Sequence, residues 1–342
     1  MRSSAAPAGL WLGLLSLALA SCTGYGRFTL PPGSTNGEAL LFRVNPDPVP
    51  ALSPGPAGEF DAVDVLNPSV VRKNGTYYNF YSGFDGRTWS TGLATSSDGL
   101  RWTKQGRVLS PGPAAWEGDY IAANGSALVS GGEFLYWYQA GSPPSIGLAR
   151  SPDGRRWTKE PEAVISPGPR GSWDERGVAD PYVIQVEGRY YLYYLGQDRA
   201  RRQRLGLARS DDGVRWQKLL SNPVLELGEA GSFDENGLGE PAVWFSHGRY
   251  WMLYTGRDRR EYRRIGQAWS IDGVKWSRLP EATVFSGSRP WSSKVVCDPS
   301  VLSDGDRLLL WYGAGNVPAP AENLNGQIGM STLEAVGANL SK

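Results

Sequence analysis

The sequence predicts an all-β chain assembled from a repeated unit, and three observations carry that prediction. The first is a phrase that occurs four times: SSDGLRW (96–102), SPDGRRW (151–157), SDDGVRW (210–216) and SIDGVKW (270–276). Its Asp-Gly pairs begin at Asp98, Asp153, Asp212 and Asp272, spaced 55, 59 and 60 residues apart. A near-constant period of this size marks an array of like supersecondary units. The second observation is a set of aromatic and branched runs, TYYNFYSG, EFLYWYQAG, RYYLYYLG, RYWMLYTG and RLLLWYGAG, each preceded by a tight Gly-containing turn. Such runs read as strands entered through hairpins. The third is composition: 44 Gly and 25 Pro interrupt the chain, and no segment after the first 20 residues keeps a helical period.

Taken in order, the chain starts with Arg2 and an apolar stretch at 10–20 (LWLGLLSLALA), the length of a signal-peptide core rather than of a bilayer span. Leu19-Ala20-Ser21-Cys22 resembles the lipobox of bacterial lipoproteins. That resemblance implies lipidation at Cys22, an extracytoplasmic location and a lipid anchor in the membrane; Thr23 favours the outer membrane. Residues 1–21 are therefore expected as signal peptide and 22–37 as a tether. Each repeat then opens on an apolar run around a polar residue, Asn67-Pro68, Asn124-Gly125, Asp180-Pro181, Glu240-Pro241 and Asp298-Pro299. A hairpin, the aromatic strand, a third strand, the Asp-Gly turn and a fourth strand beginning at Trp follow.

The aromatic strand occurs five times but the Asp-Gly phrase only four. The last repeat lacks a fourth strand, and Glu38–Leu52 precedes an SPGP sequence as the later outer strands do. The expectation is a five-bladed β-propeller of four-stranded antiparallel blades over 38–334, its ring closed by the N-terminal strand, with 335–342 as a tail.

Composition bounds function. A formal net charge of +1 gives no electrostatic ground for nucleic-acid binding. Only two Cys are present; with Cys22 lipidated, Cys297 has no disulfide partner and no Cys-based metal site forms. The only His, His247, falls in a hairpin turn and reads as exposed.

First strands lie innermost in a propeller, so Asn67, Asn124, Asp180, Glu240 and Asp298 are expected to converge at one mouth of the channel. Three carboxylates facing one cavity raise one another's pKa unless solvent, a channel cation or chemistry uses them; capping of backbone N–H groups is the bland alternative. With this pattern the chain resembles the five-bladed propeller glycosidases and transglycosidases related to glycoside hydrolase families 43, 32 and 130, through its blade repeat and through Ala179-Asp180-Pro181 and Gly239-Glu240-Pro241. The resemblance covers about residues 38–334 and implies Glu240 as general acid and Asp180 as the ionised group that tunes it. Where the family-43 type places its base, this chain has Asn124, and Asn67 precedes it. Asp298 is the best-placed substitute, as base or nucleophile, with Asp64 and Asp119 as further carboxylates.

Loops joining second to third strands are expected at the same mouth. They share Gly-x-Asp at Asp85, Asp198 and Asp258, and two of them are rich in Arg, including Arg199 and Arg259. Guanidinium clusters suit an anionic ligand such as a uronic acid, a phosphorylated sugar or phosphate; ion pairs within the loops are the competing reading. Trp89, with Trp116, Tyr120, Trp173 and Trp291, is a candidate platform for sugar rings, although the blade-repeated Trp116, Trp173 and Trp291 suit packing better. The expected activity is hydrolysis of an oligo- or polysaccharide, the alternative a non-catalytic binder of carbohydrate or of a partner. No metal ligand set is legible.

Overall fold

The computed structural model describes residues 24–34, 40–46, 48–279 and 287–337, and every long element among them is a β-strand. The signal peptide and Cys22 lie outside the described residues. The strands fall into five antiparallel units. Unit one holds Asp64–Lys73, Thr76–Phe84, Trp89–Ser96 and Thr103–Leu109. Unit two holds Ile121–Ser130, Glu133–Ala140, Ser145–Ser151 and Thr158–Lys159. Unit three holds Gly177–Val186, Arg189–Gln197, Gln203–Ser210 and Gln217–Leu219. Unit four holds Gly237–Ser246, Arg249–Arg257, Arg263–Ser270 and Ser277–Arg278. Unit five holds Val295–Asp304, Arg307–Gly315 and Gln327–Gly337. First strands of successive units pack side by side, and that of unit five packs on that of unit one. The fold is all-β and propeller-like.

The fourth strand of unit five is Leu40–Pro46, antiparallel to Gln327–Gly337 with Leu40 opposite Gly337 and Pro46 opposite Ser331. Phe42 anchors it, buried edge-on against Trp244 and Trp251 with ring centroids 5.2 and 4.9 Å away. This pairing carries the last strand to Gly337, three residues into what the sequence suggested was tail. A second revision concerns the tether. Tyr25–Gly26 runs parallel to the outer strand of unit three, and Leu30 is 1% exposed in a cluster with Tyr191, Tyr193 and Tyr254. Phe28 and Leu30 fill the seam between units three and four, so 24–34 is docked chain rather than a free linker.

The Asp-Gly phrases are reversals. Asp98 Oδ1 accepts from the N–H groups of Leu100 and Arg101, and Ser96 Oγ accepts from Gly99 N–H; the same pattern holds at Asp153, Asp212 and Asp272. The glycine is needed because its φ lies between 70° and 77° in all four turns. Its carbonyl also ties neighbouring units: Trp311 donates to Gly99, Trp137 to Gly213 and Tyr193 to Gly273, at 2.8–3.0 Å.

Beside the first strands of units one to four sits a buried acid absent from the sequence reading: Asp61, Glu117, Asp174 and Asp234. Each accepts from a second-strand tyrosine (Tyr81, Tyr138, Tyr194, Tyr254). Each also pairs with a fourth-strand cation: Lys104, Lys159, Lys218 and Arg278 at 2.6, 2.6, 2.5 and 3.2 Å. The aromatic residue just before each acid (Phe60, Trp116, Trp173, Phe233) lies over a glycine of its own unit, where a Cβ would overlap the ring. These clamps fix the segment that delivers the chain to the site.

Candidate active site

Every first strand breaks register at the same place, between Leu66 and Ser69, Ala123 and Ser126, Ala179 and Tyr182, Gly239 and Ala242, and Cys297 and Ser300. The first of the two residues inside each break is Asn67, Asn124, Asp180, Glu240 or Asp298, and all five have positive φ, between 44° and 53°. A left-handed non-glycine residue costs about 1–2 kcal/mol, and a bulge re-aims the bulged side chain. Five such residues line one central cavity of about 220 Å³. The same five, with the prolines that follow four of them, also line a small cavity of about 30 Å³. Local strain has thus been concentrated on the side chains that meet at the centre.

The two halves of this set differ. Asn124 and Ser82 exchange two hydrogen bonds of 2.9 Å, from Ser82 Oγ–H to Asn124 Oδ1 and from Asn124 N–H to Ser82 Oγ. Asn67 N–H donates to Asp298 Oδ2 at 3.0 Å, which joins unit one to unit five. Asp180 and Asp298 are 8% and 4% exposed; Glu240 is more open, yet its Oε2 is buried without a hydrogen-bond partner among the described residues.

Burial, then the charges of Glu240 and Asp298, push Asp180 well above the usual carboxylate range, against Arg263 and a hydrogen bond from Asn124. Burial and then Glu240 push Asp298 up to about 7, with Arg263, Asn67 N–H and the Cys297 thiol opposing. Like charges this close cannot all ionise, so the cluster holds protons as a unit. The sequence suggested Asp180 as an ionised tuner; burial first, and then the charges of Glu240 and Asp298, instead shift it toward its neutral form. Burial also pushes up the Cys297 thiol, ahead of Asp298. Burial alone would lower Arg263, but Cys297, Glu240 and Asp298 outweigh it and the guanidinium stays charged.

Similarity to known proteins bears on the fold. Residues 67–226 match the family described as Glycosyl hydrolases family 32 N-terminal domain. Over 92% of its length the protein superposes on the solved BT0996 RGII complex, covering 95% of that structure with a TM-score of 0.68 at 18% identity. The fold is shared with solved glycoside hydrolases. A member of the GH130 family, in work on mannoside phosphorylases and hydrolases that target beta-1,2 mannosidic linkages in Candida mannan, gives TM-score 0.66 at 18% identity over 90% of this chain and 96% of that one. An uncharacterized protein of Mycobacterium tuberculosis is 28% identical over 225 residues, 60% of this chain and 72% of its own length.

Within this glycoside hydrolase fold, Trp89 lines the cavity, stacked on Phe84 at 4.8 Å and 18°, and Tyr120 stands at its rim. Trp116, Trp173 and Trp291 pack against Tyr138, Tyr194 and Tyr312 of their own units. The loop-tip residues do not reach the cavity, and this corrects the sequence reading of Asp198, Arg199, Asp258 and Arg259. Asp198 pairs with Arg202 and Arg204, Asp258 with Arg260 and Arg264, Arg199 with Glu175, and Arg259 with Glu235. The shared Gly-x-Asp is an Asx turn: Asp85, Asp198 and Asp258 accept from backbone N–H groups of their own loops. The arginines that do line the cavity are Arg257 and Arg263, the ends of the flanking strands.

Asp64 is also accounted for, since its buried carboxylate accepts from the N–H groups of Asn323, Leu324 and Gly326 and so anchors the loop carrying Pro320 and Ala321 to the cavity wall. Asp119 is exposed and His247 lies in its hairpin turn, bonded to Ser246 Oγ. Among the described residues, no group of three or more His, Cys, Asp or Glu side chains could hold a metal ion.

Proposed function

We propose that the chain is a five-bladed propeller, closed by Leu40–Pro46, that hydrolyses a glycosidic bond at the central cavity. The observation that carries the reading is the coupling of Glu240 to two buried carboxyls, Asp180 and Asp298, in one cavity. Glycoside hydrolysis needs one carboxyl group that delivers a proton to the leaving oxygen and one carboxylate that takes a proton from water or attacks carbon. Glu240, the most open of the three, is the general acid in contact with the leaving oxygen. Asp180 keeps a proton in the cluster. Asp298, with a pKa of about 7, is the group that ionises near neutrality and serves as base or nucleophile.

Asn67 and Asn124 favour a second reading, in which the same cavity binds carbohydrate without cleaving it. Assay of the described chain from residue 24 on a panel of aryl glycosides and polysaccharides separates the two. Turnover lost in Glu240→Gln supports the hydrolase; sugar binding without turnover by the wild type supports the binder and overturns the hydrolase.

A further inference from the structure

The outermost cross-strand pair between second and third strands differs in every unit. Unit one places Phe84 opposite Trp89, unit two Ala140 opposite Ser145, unit three Gln197 opposite Gln203, unit four Arg257 opposite Arg263, and unit five Ala314 opposite Gln327. Trp89, both glutamines and both arginines line the central cavity. The wall is therefore aromatic on one side and, on another, an amide pair next to a guanidinium pair. Arg257 Nη2 donates to Gln203 Oε1 at 2.8 Å, which locks the last two pairs together.

Like charges directly opposite each other on adjacent strands destabilise a sheet. Here both are largely shielded from water: Arg257 has a side-chain exposure of 17%, and Arg263 is buried. Their internal partners satisfy them only in part. Arg257 Nη1 lies 3.2 Å from Glu261 Oε2, while its Nε is buried with no hydrogen-bond partner among the described residues. Arg263 Nη2 donates to the neutral carbonyls of Ala319 and Pro320.

We propose that Arg257 and Arg263 receive a carboxylate borne by the sugar, so that the substrate is a uronic acid residue, its ring facing Trp89 and its hydroxyls facing Gln197 and Gln203. A planar guanidinium matches a carboxylate in two parallel hydrogen bonds. A single carboxylate carries one charge, whereas a phosphate carries about 1.5–2 and three acceptor oxygens, more than a guanidinium pair already shared with Glu261 and Glu240 balances. This rests on the carbohydrate reading above but adds the class of sugar, and it stands or falls separately from catalysis.

The test is calorimetric titration of the full chain with D-glucuronate and D-galacturonate, against glucose, galactose and inorganic phosphate. A charge-assisted bond favours the uronate by about 10- to 100-fold over the neutral sugar. Arg257→Gln, which copies the neutral pair of unit three, should bring that ratio close to one, and Arg257→Lys should leave it in between. The wild-type ratio needs no variant. Equal affinities, no uronate binding, or Arg257-dependent binding of phosphate but not uronate each overturn the proposal. Uronate binding without turnover of any uronide would leave it standing and sink the hydrolase; turnover of neutral glycosides with no uronate preference would do the reverse.

Discussion

Lys218 gives the sharpest energetic prediction, because the same clamp recurs at different depths. Lys218 Nζ pairs with Asp174 at 2.5 Å and donates to Ser166 O at 2.7 Å, with side-chain exposures of 9% for the lysine and 0% for the aspartate. Lys159 and Lys104 make the equivalent pairs with Glu117 and Asp61 at 2.6 Å but are 21% and 29% exposed. Removing one partner of a sealed pair strands the other charge and costs about 3–5 kcal/mol. Where water reaches the orphan, the loss falls toward the ~1–3 kcal/mol of an unsatisfied acceptor. The substitutions Lys218→Met, Lys159→Met and Lys104→Met should therefore lower the urea midpoint in that order, largest first. Adding Asp174→Asn to Lys218→Met should restore part of the loss, since the stranded charge is gone. Equal losses in the three variants, or the reverse order, would refute the argument that burial sets the cost.

Phe42→Ala should destabilise the protein by about 3–5 kcal/mol, because the ring is buried between two tryptophans on the strand that completes unit five; thermal melting reads the loss. pH supplies another check. Asp298 binds its proton more tightly folded than unfolded, so stability should fall as pH rises from about 4 to 7, by on the order of 4 kcal/mol from this group, and Asp298→Asn should flatten the slope over that same range. The turn carboxylate Asp98 is lowered to about 2, chiefly by backbone N–H bonds from Arg101 and Leu100, so its contribution is present above about pH 4 and is lost as pH falls toward 2. Lipid attachment at Cys22 predicts that Cys22→Ala releases the protein from the membrane fraction; unchanged fractionation and no incorporation of labelled palmitate would sink it.

Much of the architecture was legible because each unit repeats its turn chemistry. Asp98, Asp153, Asp212 and Asp272 demand the same reversal, and the missing fifth copy pointed to a strand contributed from elsewhere in the sequence. The five central residues were legible from one aligned position, although their left-handed backbone was not, since nothing in Asn-Pro or Asp-Pro announces a bulge. The Arg-rich segment Arg257–Arg264 was legible at the mouth, but which of its arginines face the cavity was not. Strand ends face the cavity while loop tips face solvent, so Arg257 and Arg263 line the site and Arg259 does not, a difference of phase that composition cannot reveal. The acid clamps escaped notice because one is Glu, three are Asp, and Ser292 holds the place after Trp291. The docking of Phe28 and Leu30 escaped for another reason: two apolar residues in a short polar stretch carry no period.

If Glu240 delivers the proton to the leaving oxygen, activity should depend on the leaving group in a way that its removal exposes. Wild type and Glu240→Gln should be compared on aryl glycosides whose phenol leaving groups span a wide range of acidity. The expected loss is about 100- to 10,000-fold on poor leaving groups, shrinking steadily as the phenol becomes acidic enough to depart unaided. An equal loss across the series would contradict it.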